Sequence, residues 1–129
     1  MKLRILIVDD QPHFSHLLRL ILEKTGELDV REINQPQQVA EAVQIFQPDL
    51  VILDLEMPGK NGAELAYEMT RDGKIPLSSI VFLSGLIEPQ ESGWKETPHG
   101  PMRFLSKTAP PLETMQAIRE ALSVLQTAG

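Results

Sequence analysis

Four short apolar runs in this chain, LRILIV, DLVIL, SIVFL and MRFLS, end respectively on the pair Asp9 and Asp10, on Asp54, on Ser84 and on Lys107. Runs of this length bounded by turn residues read as buried strands. If those strands lie parallel in one open sheet, their C-terminal ends share the edge at which ligands bind. Three carboxylates gathered there repel one another, since two unit charges about 4 Å apart interact by ~4 kcal/mol at a near-surface dielectric. Such a cluster calls for a cation. Magnesium suits it, being a hard ion that takes oxygen ligands from one or two carboxylates, waters and phosphate oxygens. Asp10 and Asp54 would supply the carboxylates, and Asp9 would act through a water. An ionised aspartate is also a ready nucleophile that can attack phosphorus to form an acyl phosphate, and Asp54 is the candidate. The Lys107 ammonium and the Ser84 hydroxyl would then meet the charge on the phosphoryl oxygens.

The elements that must hold these groups alternate between strand and helix patterns, which implies βαβ units and a parallel sheet covered on both faces. Phe14, Leu17, Leu18, Ile21 and Leu22 fall on one helix face, with Gly26 placed to end it. Val39, Ala42, Val43 and Phe46 repeat that spacing before Pro48; Gly62, Leu65, Ala66 and Met69 outline a third helix. Met115, Ile118, Leu122 and Leu125 form the stripe of a last one behind Pro110 and Pro111. The mixed polarity around Val30 and Ile33 predicts an edge strand. Between Ser84 and Lys107 a helix is due, yet Pro89, Gly93, Pro98, Gly100 and Pro101 interrupt the stretch. The pattern leaves at most a short helix after Pro89.

At 129 residues the chain reads as one domain, residues 1–129, able to bury roughly two-thirds of its unfolded surface. It has no cysteine, which removes thiol catalysis, disulfides and cysteine metal sites. A formal net charge of −6 argues against direct nucleic-acid binding, which needs a basic stripe. The apolar run after the first residues is too short for a signal peptide or a membrane span, so a cytoplasmic protein is expected.

Each residue taken alone has an ordinary explanation. Asp9, Asp10 and Asp54 could cap the helices that follow, Ser84 could be a turn hydroxyl, and Lys107 a solvated lysine. Their joint placement at successive strand ends is what favours a site. His13, His16 and His99 form no metal pair and read as surface residues, and Trp94 is either packed on the sheet edge or held out for a partner.

The combination of VDD at 8–10, LDLEMPGKNG at 53–62, Ser84-Gly85 and Phe104 before Lys107 resembles the receiver domains of two-component response regulators. The resemblance implies a doubly wound, flavodoxin-like fold with a five-stranded parallel sheet in order 2-1-3-4-5. By the same resemblance, Asp54 accepts a phosphoryl group from a phosphohistidine on a sensor histidine kinase or phosphotransfer protein, and an unknown downstream protein reads the result. The protein is then a switch and not a turnover enzyme. Magnesium would sit on Asp10, Asp54 and the main-chain carbonyl of Glu56, whose side chain reads as a loop group at the site mouth. Ser84 and Phe104 would be the switch pair. The chain departs from the family pattern at Thr108, where proline is usual, at Gly85, where alanine is preferred, at Asn61, where aspartate is common, and in the missing helix. Retention of all five site residues argues against a degenerate receiver used as a phosphorylation-independent interaction module, but the Lys-Thr step and the missing helix keep that alternative. A dehalogenase-type aspartyl phosphatase fits less well, because its Asp-x-Asp would follow an early strand. Nucleotide or flavin binding would need a glycine-rich loop where Asp9 and Asp10 stand.

Overall fold

The computed structural model describes residues 2–71 and 75–128. A parallel sheet is formed by β1 (Leu3–Val8), β2 (Leu28–Ile33), β3 (Leu50–Asp54) and β4 (Ile80–Ser84), with β5 (Gly93–Thr97) and β6 (Gly100–Ser106) completing one edge. The strand order is β2-β1-β3-β4-β6-β5, and only β5 runs antiparallel, beside β6. Ile5–Val8 and the whole of β3 and β4 are buried, which is why these strands read as unbroken apolar runs.

Side chains alternate across the sheet, and each face is covered by a pair of helices. Leu6, Val8, Val51, Leu53, Ile80 and Phe82 pack against α2 (Val39–Phe46) and α3 (Gly62–Arg71). Ile5, Ile7, Leu50, Ile52, Val81 and Leu83 pack against α1 (Pro12–Glu23) and α4 (Pro111–Ala128). In α3 the buried residues are Gly62, Leu65, Ala66 and Met69, the set the spacing implies. The first helix differs in one respect: Leu17 is 55% exposed, and Leu18 and Leu22 carry the burial with Ser15. Among the described residues no helix is long and apolar enough to cross a membrane.

The five parallel strands take the expected order, but the slot before the last of them holds a strand that the sequence reading did not anticipate. A 3-10 turn at Pro89–Glu91 is the whole of the helix there. The chain then reverses through Pro98 and His99, a two-residue connection stapled by Thr97, whose hydroxyl donates to Gly100 O at 2.7 Å and accepts from His99 N. Gly93 and Gly100 adopt φ of 129° and 109°, open to glycine alone, at the first residues of β5 and β6. Cross-strand stacking holds the ribbon: Trp94 lies under the Arg103 guanidinium at 4.7 Å and Phe104 under Lys95 Nζ at 5.8 Å. Trp94 is therefore packed on the sheet edge, though still 49% exposed.

As the edge strand, β5 is bonded on one side only. Amides of residues 89–100 are expected to exchange faster than those of α1 to α4, measured by hydrogen exchange with peptide-level mass spectrometry. Protection in β5 equal to that of the helices would contradict this.

Candidate functional site

Register alone brings the polar groups to one edge. Val8 pairs with Leu53, so Asp9 follows β1 directly beside Asp54, the last residue of β3. Asp54 in turn pairs with Leu83, and Ser84 with Ser106, leaving Ser84 and Lys107 at the same end. Lys107 N donates to Ser84 O at 2.8 Å, which extends the β4–β6 ladder one step and fixes the start of the lysine loop. Because β1 is flanked by β2 and β3, this edge is also where the chain's winding reverses, the usual position of a ligand crevice.

The side chains close on one another. Lys107 Nζ lies 2.8 Å from Asp9 Oδ2 and 3.0 Å from Asp54 Oδ2, with only 12% of the lysine side chain exposed. Gln11 Oε1 accepts a third contact from the same ammonium at 3.0 Å, and the Phe14 ring centroid lies 5.0 Å away. Asp9 Oδ1 accepts from Gln11 N at 2.8 Å, and Asp54 Oδ1 from Glu56 N at 3.1 Å. Neither Asp9 nor Asp10 caps α1, whose N-cap is Gln11, so the capping explanation of the acid pair does not hold. Thr108 does not pull Lys107 away: its N–H, which a proline would lack, donates to Ser106 Oγ, and its hydroxyl meets that same oxygen at 2.8 Å.

Carboxylate oxygens of Asp9, Asp10 and Asp54 lie within 4.8 Å of one another. Asp9 Oδ2 is buried and has no hydrogen-bond donor, its contact with Lys107 being a charge pair off the hydrogen-bond axis. Three acids around a buried oxygen that lacks a donor fit a hard divalent cation, and the residues present match magnesium's preference for oxygen.

Burial pushes the Asp54 carboxyl up to about 6, and the neighbouring Asp9 charge adds to the rise against the opposing bonds from Lys107 and Glu56 N. Burial by itself would lower the Lys107 ammonium, but its close contacts with the charged Asp9 and Asp54 carboxylates outweigh it, so its pKa lies above the usual lysine value. Since native Asp54 keeps its proton up to about pH 6 and unfolded Asp54 releases it near 3.8, the native state binds more protons in that window. Stability from this group therefore falls as pH rises from about 4 through 6. In chelator, Asp54→Asn is expected to melt close to wild type at the acid end of this window, then above it by a margin that grows to ~2–3 kcal/mol near pH 7. Thermal melts across that range check this, and a constant margin would contradict it.

Of the residues singled out from sequence, Asp9, Asp10, Asp54, Ser84 and Lys107 meet at this edge. Phe104 does not face the acids; it sits within β6, half-buried, with its ring stacked 5.4 Å from Phe82. The side chain of Glu56 has a larger part than a loop group, accepting from Ser84 Oγ at 2.8 Å and Gly85 N at 2.9 Å. Gln11 was also missed, although a polar residue directly after the acid pair was a usable signal.

Residues 5–119 match the family model of the response regulator receiver domain. The chain is 38% identical over 77 residues to the DNA-binding response regulator MtrA of Mycolicibacterium smegmatis, a match covering 60% of this chain and 33% of that protein. It thus spans about a third of the length of that relative. Protein PilH of Pseudomonas aeruginosa is 29% identical over 120 residues, covering 93% of this chain and 98% of its own. Among solved structures, the CheY-like response regulator receiver domain protein of Methanospirillum hungatei JF-1 superposes with a TM-score of 0.80 over the full length of both chains at 19% identity. The BeF3-activated receiver domain of Klebsiella pneumoniae RstA gives 0.73 at 26% identity, covering 92% of this chain and 97% of that one.

Proposed function

Since this chain belongs to the response regulator receiver domain family, we propose that its switch is thrown by phosphorylation of Asp54, with a phosphohistidine of a sensor kinase or phosphotransfer protein as donor. The observation that carries the reading is Lys107 Nζ lying within hydrogen-bonding distance of Asp54 and paired with Asp9 at one buried edge. A carboxylate oxygen of Asp54 attacks the donor phosphorus, the phosphorus–nitrogen bond breaks, and the imidazole leaves with that electron pair. The product is an aspartyl phosphate, which water later hydrolyses. Lys107 and the Ser84 hydroxyl bind phosphoryl oxygens, while burial keeps bulk water from competing. Asp10, Asp54 and the Glu56 main-chain carbonyl would hold magnesium directly and Asp9 through a water; the bound ion would neutralise charge on the acids and on the phosphoryl group.

Once Asp54 carries the phosphoryl group, Ser84 moves toward it and the Phe104 ring turns inward, changing a face that a downstream protein reads. The chain is the phosphoacceptor and not a turnover enzyme on an outside substrate, although its own groups support both gain and loss of the phosphoryl group. In this reading the chain works in the cytoplasm. DNA binding belongs to MtrA by its name; this acidic chain, with its net charge of −6, is read as making no direct nucleic-acid contact. No observation favours the phosphorylation-independent module, since Lys107 keeps its reach to the acids.

The test is incubation with acetyl phosphate and magnesium, followed by intact mass and peptide mapping of wild type and Asp54→Asn. Wild type should carry one phosphoryl group, on Asp54, and the variant none at that position. Absence from Asp54, or retention there in the variant, would sink the reading.

A further inference from the structure

Two donors at the end of β4 converge on one carboxylate. The Ser84 hydroxyl donates to Glu56 Oε2 at 2.8 Å and the Gly85 amide donates to Glu56 Oε1 at 2.9 Å. Ser84 Oγ also accepts from Leu86 N at 3.0 Å, so the hydroxyl's one proton is committed to Glu56. The acid is tethered to the nucleophile as well, because Glu56 N donates to Asp54 Oδ1. We infer that Glu56 is a resting-state latch: its carboxylate occupies the Ser84 hydroxyl and the Gly85 amide, the two donors that phosphoryl oxygens on Asp54 would need, and phosphorylation must displace it.

This rests on the receiver reading and gives Glu56 a positioning part in it. A carboxylate and a phosphoryl group both offer neighbouring anionic oxygens, so a pair of donors spaced for one is spaced for the other. A hydroxyl has one proton to give, so the two acceptors exclude each other at Ser84. Packing around Glu56 does not account for the contact. Glu56 is solvent-exposed, so shortening its side chain opens no buried void. Ser84, by contrast, is buried and needs an acceptor for its proton, and in the resting state Glu56 provides it. The latch therefore stabilises the unphosphorylated arrangement and raises the affinity a phosphoryl group must show before Ser84 moves.

The experiment is titration of wild type, Glu56→Ala, Ser84→Ala and the double variant with beryllofluoride in saturating magnesium, alongside amide NMR of the metal-free proteins. Glu56→Ala should bind beryllofluoride about tenfold more tightly, the effect of losing one charge-assisted hydrogen bond. In the Ser84→Ala background the gain should shrink to about threefold or less, because the contested hydroxyl is gone. The Gly85 amide proton should move upfield in metal-free Glu56→Ala as its carboxylate acceptor is lost. No tightening, equal tightening in both backgrounds, or an unmoved Gly85 amide would overturn the latch. If wild type takes beryllofluoride and a phosphoryl group on Asp54 while Glu56→Ala changes nothing, the latch alone has failed. If wild type takes neither, the receiver reading has failed with it.

Discussion

Lys107→Ala is expected to destabilise the metal-free protein at pH 7.5 by about 3–5 kcal/mol, the usual consequence of removing one partner from a buried charge pair. The ammonium is within 3.0 Å of oxygens of Asp9, Asp54 and Gln11, and no other cation is within salt-bridge distance of those two acids among the described residues. Without it, two fully buried carboxylates face each other unpaired. The native pKa of Lys107 is raised, so the stability it contributes is complete below its unfolded value near 10.5 and is lost only as pH climbs through the native one. At neutral pH the whole contribution is at stake. The deficit should be relieved in two ways: by magnesium, which replaces the missing positive charge, and by lowering the pH below about 6, where Asp54 takes up a proton. Urea denaturation at pH 7.5 and 5.5, with and without magnesium, measures all of this. A deficit below about 1 kcal/mol, the range of an exposed ion pair, would mean that Lys107 is not the counter-ion of these acids.

Gly62→Ala is expected to destabilise the fold by about 3 kcal/mol, lowering the melting temperature by roughly 10 °C. Gly62 opens α3 and folds back on β3, its N–H donating to Leu55 O at 3.1 Å. A Cβ there would collide with Asp54 O and come within 2.9 Å of Leu55 Cα, both backbone atoms that no rotamer change can move aside. Either α3 lifts or the end of β3 shifts, and that end carries Asp54. Magnesium affinity should therefore fall along with stability. Gly85→Ala is the matched control, because a Cβ at Gly85 would meet nothing closer than Glu56 Oε1 at 3.9 Å. Its melting temperature should stay within a few degrees of wild type. Similar melting temperatures for Gly62→Ala and Gly85→Ala would show that the Gly62 contact is not as tight as described.

Burial on both faces made β1, β3 and β4 readable, since a strand with no solvent side shows as a continuous apolar run whatever its neighbours are. Asp9, Asp54 and Ser84 were readable for the same reason, each being a polar residue that ends such a run, and Lys107 was readable from its place just after the apolar end of the partly exposed β6. Leu17 was placed in the apolar stripe of α1 because spacing marks a helix face but not how far the sheet beneath it reaches; the residue lies beyond that reach and is exposed. The ribbon at β5 could not be read, as Gly-Trp-Lys-Glu-Thr has no alternation of its own. What makes it a strand is its partner, through the stacking of Trp94 with Arg103 and of Lys95 with Phe104. The bonds from Glu56 to Ser84 and Gly85 were equally hidden, because they bridge 28 and 29 residues and depend on how two loops meet.

The most direct measurement is a crystal structure of this chain with magnesium and beryllofluoride. Beryllium is expected on a carboxylate oxygen of Asp54, magnesium on Asp10, Asp54 and the Glu56 carbonyl, and the fluorines on Lys107 Nζ, Ser84 Oγ and the Gly85 amide with the Glu56 side chain displaced. Beryllofluoride bound elsewhere, or Lys107 turned into solvent while Asp54 stays bare, would contradict it.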